Sequence, residues 1–99
     1  MGKGPQAWLV VYDVADDKRR TKIYKLMRGY GDHIQFSVFR CIVSDLQVAE
    51  MRERLEVLVH ATKDQVLLVP LGSPDATRFR QWIAIGIPLE AAERTVVIF

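Results

Sequence analysis

Trp8-Leu9-Val10-Val11-Tyr12-Asp13 is the stretch that decides the reading of this chain. Five apolar strand formers in a row, cut off by a carboxylate, predict a central strand buried on both faces that leaves its sheet at Asp13. Moving outward, Asp16 or Asp17 stands where it would cap a helix and place negative charge at the positive helix end. That helix should run to about Arg28, because Ile23, Leu26, Met27 and Tyr30 recur at spacings of three and four and form one apolar stripe. Gly29 and Gly31 are expected to stop it. From His33 to Val43 the chain has no Gly or Pro and reads as one long bent strand or as two strands with a tight reversal; no Asn-Gly pair decides between them. Ser44-Asp45-Leu46-Gln47 has the pattern of a capping box, so a second helix starts there, with Val48, Met51, Leu55, Leu58 and Val59 as its buried stripe and an end near Ala61. Gln65-Val66-Leu67-Leu68-Val69 reads as another buried strand closed by Pro70 and Gly72. Arg78 to Ile85 fits a strand or a short helix, and Thr95-Val96-Val97-Ile98-Phe99 is a strand at the C-terminus.

The order βαββαβ predicts an α+β, ferredoxin-like fold over residues 1–99 as a single domain: an antiparallel sheet with two helices on one face, plus a C-terminal extra strand. A terminal strand needs an edge to pair with, in its own sheet or in that of a second subunit.

Composition narrows the function classes. The 99 residues are 49% hydrophobic and 26% charged, the balance of a globular domain and not of a disordered one. A chain this short has no room for a second catalytic lobe and builds a small core, so any site is expected to be shallow or shared between subunits. The single cysteine, Cys41, excludes an intrachain disulfide; with a polar start and no leader segment, the expected location is cytoplasmic. The run from Trp8 to Tyr12 is far too short to cross a bilayer, so no membrane partner is expected. The chain has no phosphate loop, no GxGxxG, no Ser–His–Asp order, and no zinc-type spacing around Cys41, which reads as a buried, inert thiol.

Asp13 is the position most suggestive of chemistry. A carboxylate held rigidly at a strand end suits a hard cation such as Mg²⁺, while its plain alternative is a turn residue or a partner for a nearby arginine. Lys18, Arg19, Arg20, Lys22, Lys25 and Arg28 form a basic cluster with no acid among them, whereas the second helix carries Glu50, Glu53 and Glu56. At 100° per residue Lys18, Lys22 and Lys25, with Arg28 beside them, lie opposite the apolar stripe. The strip could follow a phosphate backbone or be a solvated helix face. Arg19 and Arg20 flank the stripe in the first turn and could reach back toward Asp13, as an ion pair or as phosphate ligands. Arg78, Phe79, Arg80 and Trp82 interleave basic and aromatic groups, which serves base stacking or core packing. His33 would be a general acid or base only if it lay near Asp13.

Taken together, Val11-Tyr12-Asp13-Val14, Asp16-Asp17-Lys18-Arg19-Arg20, Tyr30-Gly31 and Ile34-Gln35-Phe36-Ser37-Val38-Phe39 resemble the second of the two universal CRISPR adaptation proteins. The helix after Ser44, Leu67-Leu68-Val69-Pro70-Leu71 and Val97-Ile98-Phe99 continue the likeness. The resemblance implies a ferredoxin-like homodimer whose C-terminal strand pairs with the partner's sheet. It implies that Asp13 of both subunits faces across the dimer cleft, binding Mg²⁺ in a metal-dependent endonuclease of single-stranded RNA or double-stranded DNA. It also implies a part in spacer acquisition, in which the family bridges two CRISPR integrase dimers and holds DNA, with or without nuclease activity of its own. Tyr12, Asp13, Arg20 and Phe39 fall on motif positions linked with activity, and Arg19 lies beside the arginine position. His33 stands where many members carry a basic residue, and Phe36 replaces a common Tyr, removing a hydroxyl. An RNA-cleaving toxin of similar fold is the remaining reading.

Overall fold

The computed structural model of the chain describes residues 4–75, 82–87 and 96–98. Within them the elements run β1 (Gln6–Asp13), α1 (Asp17–Arg28), β2 (Gly31–Gln35), β3 (Val38–Val43), α2 (Asp45–Leu58), β4 (Gln65–Gly72), β5 (Trp82–Ala84) and β6 (Val96–Ile98). The first six make the expected α+β, ferredoxin-like unit, an antiparallel sheet in the order β2-β3-β1-β4. Ile23 and Met27 of α1 and Met51 and Leu55 of α2 join Val10, Tyr12, Phe39, Cys41 and Val43 in one core, so both helices cover the same face of the sheet.

Covering one face only changes the reading of β1 and β4. Neither strand is buried on both sides. In β1, Val10 and Tyr12 point into the core, while Leu9 and Val11 alternate onto the uncovered face and stay partly exposed. In β4, Val66 and Leu68 face inward, and Leu67 and Val69 are 48% and 37% exposed. Ile42 of β3 joins them at 52%. Arg40 lies on the same uncovered face, buried, with Asp32 of the neighbouring strand 3.8 Å away. Cys41 is fully buried on the covered face, where loss of water pushes its thiol up to about 11, with the Asp32 charge adding to the rise.

Local chemistry sets the element ends. The Asp16 carboxylate accepts from the Arg19 N–H at 2.9 Å and caps α1. The Ser44 hydroxyl accepts from the Gln47 N–H at 3.2 Å while the Gln47 side chain accepts from the Ser44 N–H at 2.9 Å, the two halves of a capping box. α2 ends at Leu58, before Ala61, because Val59 is already extended (φ −79°, ψ 152°) and the Asp64 carboxylate takes the His60 N–H at 2.8 Å. The segment from His33 to Val43 is two strands reversing at Phe36 and Ser37, with a register shift between His33 and Gln35. Pro70 and Gly72 lie inside β4, an edge strand where a missing N–H is tolerated.

The tail forms its own ladder: β6 pairs in parallel with β5, Trp82 opposite Val96 and Ala84 opposite Ile98, in a separate two-stranded sheet. Arg78, Phe79 and Arg80 lie outside the described residues, and Trp82 is described by its backbone. Among the described residues, no helix is long and apolar enough to cross a membrane.

Gly29 ends α1 with φ −82°, so no left-handed cap is involved, and Gly31 does different work. A Cβ on Gly31 would stand 2.3 Å from the Arg40 carbonyl oxygen and 2.7 Å from the Cys41 sulfur. β2 approaches β3 only because that atom is missing. Gly31→Ala is expected to cost about 1–3 kcal/mol by overpacking, read as a lower urea midpoint with an unchanged m-value.

Candidate functional site

β1 is hydrogen-bonded along both edges and delivers Asp13 to the end of the sheet. On one side the ladder with β3 continues into the turn, where the Tyr12 N–H donates to the Ser37 carbonyl at 3.0 Å. On the other side Asp13 stands opposite Gln65. Its carboxylate is exposed. By strand alternation it belongs to the uncovered face, at the margin of the apolar surface made by Leu9, Val11, Val38, Ile42, Leu67 and Val69. Among the described residues, no three His, Cys, Asp or Glu side chains gather where they could hold a metal.

The two arginines that follow turn elsewhere. Arg20 donates from Nη1 to the carbonyls of Val14 and Ala15, each at 3.0 Å, and pairs with Asp17. It stiffens the loop that Asp13 opens. Arg19 makes a two-pronged contact with Asp64, Nε to Oδ2 at 2.7 Å and Nη2 to Oδ1 at 3.1 Å. The Arg19 hydrogen bond and the His60 N–H hold the Asp64 carboxyl below the usual carboxylate range against the opposing effect of burial, and Asp64 in turn raises the Arg19 guanidinium. The expected reach of Arg19 or Arg20 back to Asp13 is absent among the described contacts: both side chains are committed to the chain's own oxygens, which are nearer in sequence or fixed across the fold.

Tyr12 and Phe39 lie behind the site. Tyr12 is buried, with its hydroxyl 3.4 Å from the Phe36 carbonyl oxygen; loss of water, and then the neighbouring Tyr24, raise its pKa against the pull of Arg20, so the phenol keeps its proton. Phe39 is fully buried and packs against the rings of Tyr12, Tyr24 and His33 at centroid distances of 6.3, 5.7 and 4.9 Å. A ring with no exposed surface supports the strand end and touches nothing outside. His33 stands edge-on to Tyr24 at 5.0 Å, within this cluster on the covered face, while Asp13 belongs to the other face.

Lys18, Lys22, Lys25 and Arg28 are all exposed along α1, and Arg28 donates to the Tyr24 hydroxyl at 2.8 Å. A separate cavity of about 430 Å³ opens between α2 and the β1–β4 pair, lined by Trp8, Val48, Leu55, Val59, Val66 and Leu68 together with the charged Arg52 and Glu56. It is mostly apolar and gathers none of the residues expected to carry chemistry.

With this geometry in hand, the sequence matches the family described as CRISPR associated protein Cas2 over residues 6–79, well over half of the chain. The chain belongs to the Cas2 family. It is 42% identical over 64 residues to the CRISPR-associated endoribonuclease Cas2 2 of Thermodesulfovibrio yellowstonii, covering 65% of this chain and 70% of that one. To the CRISPR-associated endoribonuclease Cas2 1 of Rhodospirillum rubrum it is 35% identical over 92 residues, covering 93% and 89%. Among solved structures, the Cas2 of Streptococcus pyogenes at pH 6.5 superposes with a TM-score of 0.63 at 31% identity, covering 67% of this chain and 86% of that one. A hypothetical protein of Thermus thermophilus gives 0.68, also at 31%, covering 71% and 85%. Asp13, Tyr12, Arg20 and Phe39, and the basic residues of α1, all fall within the Cas2 match.

Asp64 is the residue that sequence reasoning missed. It sits between a lysine and a strand with no motif around it, and only the fold brings it to Arg19, 45 positions away. Because its folded pKa is lowered, its stabilising effect is fully present above the ordinary carboxylate pKa of about 4 and is lost as the pH falls through the lower folded value. The Tm difference between wild type and Asp64→Asn is therefore expected to be full at pH 7 and to close progressively below that ordinary value in a thermal-melt series.

Proposed function

We propose that this chain is a metal-dependent endonuclease that hydrolyses phosphodiester bonds in CRISPR spacer acquisition, working in the cytoplasm as a homodimer. The observation that carries the reading is the position of Asp13: an exposed carboxylate on a strand pinned along both edges, at the margin of an uncovered apolar face. The relatives named endoribonucleases and endonucleases support it.

One carboxylate is thin ligation, and an apolar face left in water invites a second copy. Two chains meeting there would bring two Asp13 side chains to one site. Mg²⁺ suits such a donor set, since it is commonly held by one or two carboxylates and keeps several waters. When bound, the ion would supply Lewis-acid stabilisation of the phosphoryl oxygens and a water of lowered pKa. The chain's own residues do the rest. Asp13 would hold the cation side of the site. Arg20 braces the Val14–Ala15 backbone, keeping the strand end in place. Tyr12 and Phe39 fix the strand from behind. Lys18, Lys22 and Lys25 offer ammonium groups to the substrate backbone.

Asp13→Ala is expected to lower cleavage of labelled RNA and duplex DNA in Mg²⁺ by on the order of a hundredfold or more, with thermal stability preserved because the side chain is exposed. Equal cleavage by both proteins would overturn the nuclease reading.

The unrelieved basic strip on α1 favours a second reading, a DNA-binding scaffold that bridges integrase dimers without cleaving. On that reading Asp13→Ala leaves spacer integration intact. Reversing Lys18, Lys22 and Lys25 to Glu is expected to weaken duplex binding and to flatten the log Kd against log salt slope by about 3. An unchanged slope would remove the strip from either account.

A further inference from the structure

We propose that Gln65 contacts the substrate of the nuclease reading: its carboxamide donates a hydrogen bond to a non-bridging oxygen of the phosphodiester that reacts at Asp13. The inference deepens that reading and rests on it.

A phosphodiester under attack gathers negative charge on its oxygens, and N–H groups aimed at those oxygens favour the reaction. Asp13 brings a negative charge of its own to the same place, so the need for a donor there is greater. The two arginines expected to supply it are committed elsewhere. Arg19 is held by Asp64, and Arg20 by the carbonyls of Val14 and Ala15 and by Asp17.

The β1–β4 ladder brings a different donor to Asp13. Gln65 stands directly opposite it, so the two side chains share the uncovered face of the sheet, and both are exposed. Residues opposed in an antiparallel pair have Cβ atoms about 5 Å apart. Among the described residues, neither side chain is hydrogen-bonded or ion-paired. The next position on this face offers nothing comparable, since Val11 lies between Val38 and Leu67. A carboxamide carries two N–H donors. The Gln side chain is one methylene longer than that of Asp, so its amide reaches beyond the carboxylate toward a bound phosphate.

Both backbones are braced by consecutive residues of α1. β4 begins at Gln65, and the preceding Asp64 accepts from Arg19 at 2.7 and 3.1 Å and from the His60 N–H at 2.8 Å. On the other strand, Arg20 holds the two residues that follow Asp13. One arginine thus fixes the chain just before Gln65, and the other fixes it just after Asp13. A pair of open polar side chains on clamped backbone is preorganised for a ligand.

The full chain and its Gln65→Leu, Gln65→Glu, Gln65→Lys and Asp13→Ala variants are assayed on labelled RNA and labelled duplex DNA in Mg²⁺. Thermal melts and Mn²⁺ affinity, read by electron paramagnetic resonance, accompany each variant. Gln65→Leu is expected to lower kcat/KM by about a hundredfold, with Tm and Mn²⁺ affinity unchanged. Gln65→Glu falls at least as far, because a carboxylate repels the phosphate, whereas Gln65→Lys keeps an N–H donor and recovers part of the loss. If the melts shift, the order Lys above Leu above Glu still supports the role, since a merely structural position gives no ranking by charge. Gln65→Lys cleaving no better than Gln65→Leu overturns the donor role. So does a Gln65→Glu variant that cleaves faster and binds Mn²⁺ more tightly than wild type, which assigns the Gln65 oxygen to the cation instead. Asp13-dependent cleavage that ignores all three Gln65 changes removes the Gln65 role alone. Equal cleavage by wild type and Asp13→Ala removes the nuclease reading and the Gln65 role with it.

Discussion

The double pairing of β1 is the constraint on which the rest of this molecule depends. Hydrogen-bonded to β3 on one edge and β4 on the other, it is held against shifting in register and against fraying. Its even-numbered side chains from Trp8 to Tyr12 are committed to the helix side, which fixes the odd-numbered Leu9, Val11 and Asp13 on the other. The position of the carboxylate therefore follows from the burial of Tyr12 and Val10, one and three residues before it, not from any contact that Asp13 makes itself.

Much of the fold was legible in the sequence because its signals are local. Ser44 and Gln47 satisfy each other across the first turn of α2, and Asp16 caps α1 within three residues. Such contacts need no knowledge of the rest of the chain. Burial on both faces of β1 and β4 was not correctly readable, since an apolar run looks the same whether its second face meets a helix, a second subunit or water. The reversal at Phe36 and Ser37 carries no glycine or asparagine; it is held by Tyr12 from another strand, so the sequence had nothing to display.

The candidate site divides in the same way. Asp13 stood out because it ends an apolar run. The fates of Arg19 and Arg20 did not, because their partners are backbone carbonyls and a distant aspartate, and a basic residue carries no mark of whether its charge is already satisfied. Two adjacent arginines of equal composition thus serve different ends: one ties α1 to the loop before β4, and the other braces the loop after β1.

The Arg19 tie has a consequence for recognition. α1 is clamped at its first turn to the loop before β4 and, through Ile23 and Met27, to the sheet beneath it. The helix cannot swing to follow the contour of a polyanion. Its lysines are spaced like marks on a fixed ruler, and their side chains alone have freedom to lose on contact. On the proposed reading, a nucleic acid lying along α1 would have to bring its phosphates into step with that spacing, so the bending and local unwinding would fall on the nucleic acid rather than on the protein.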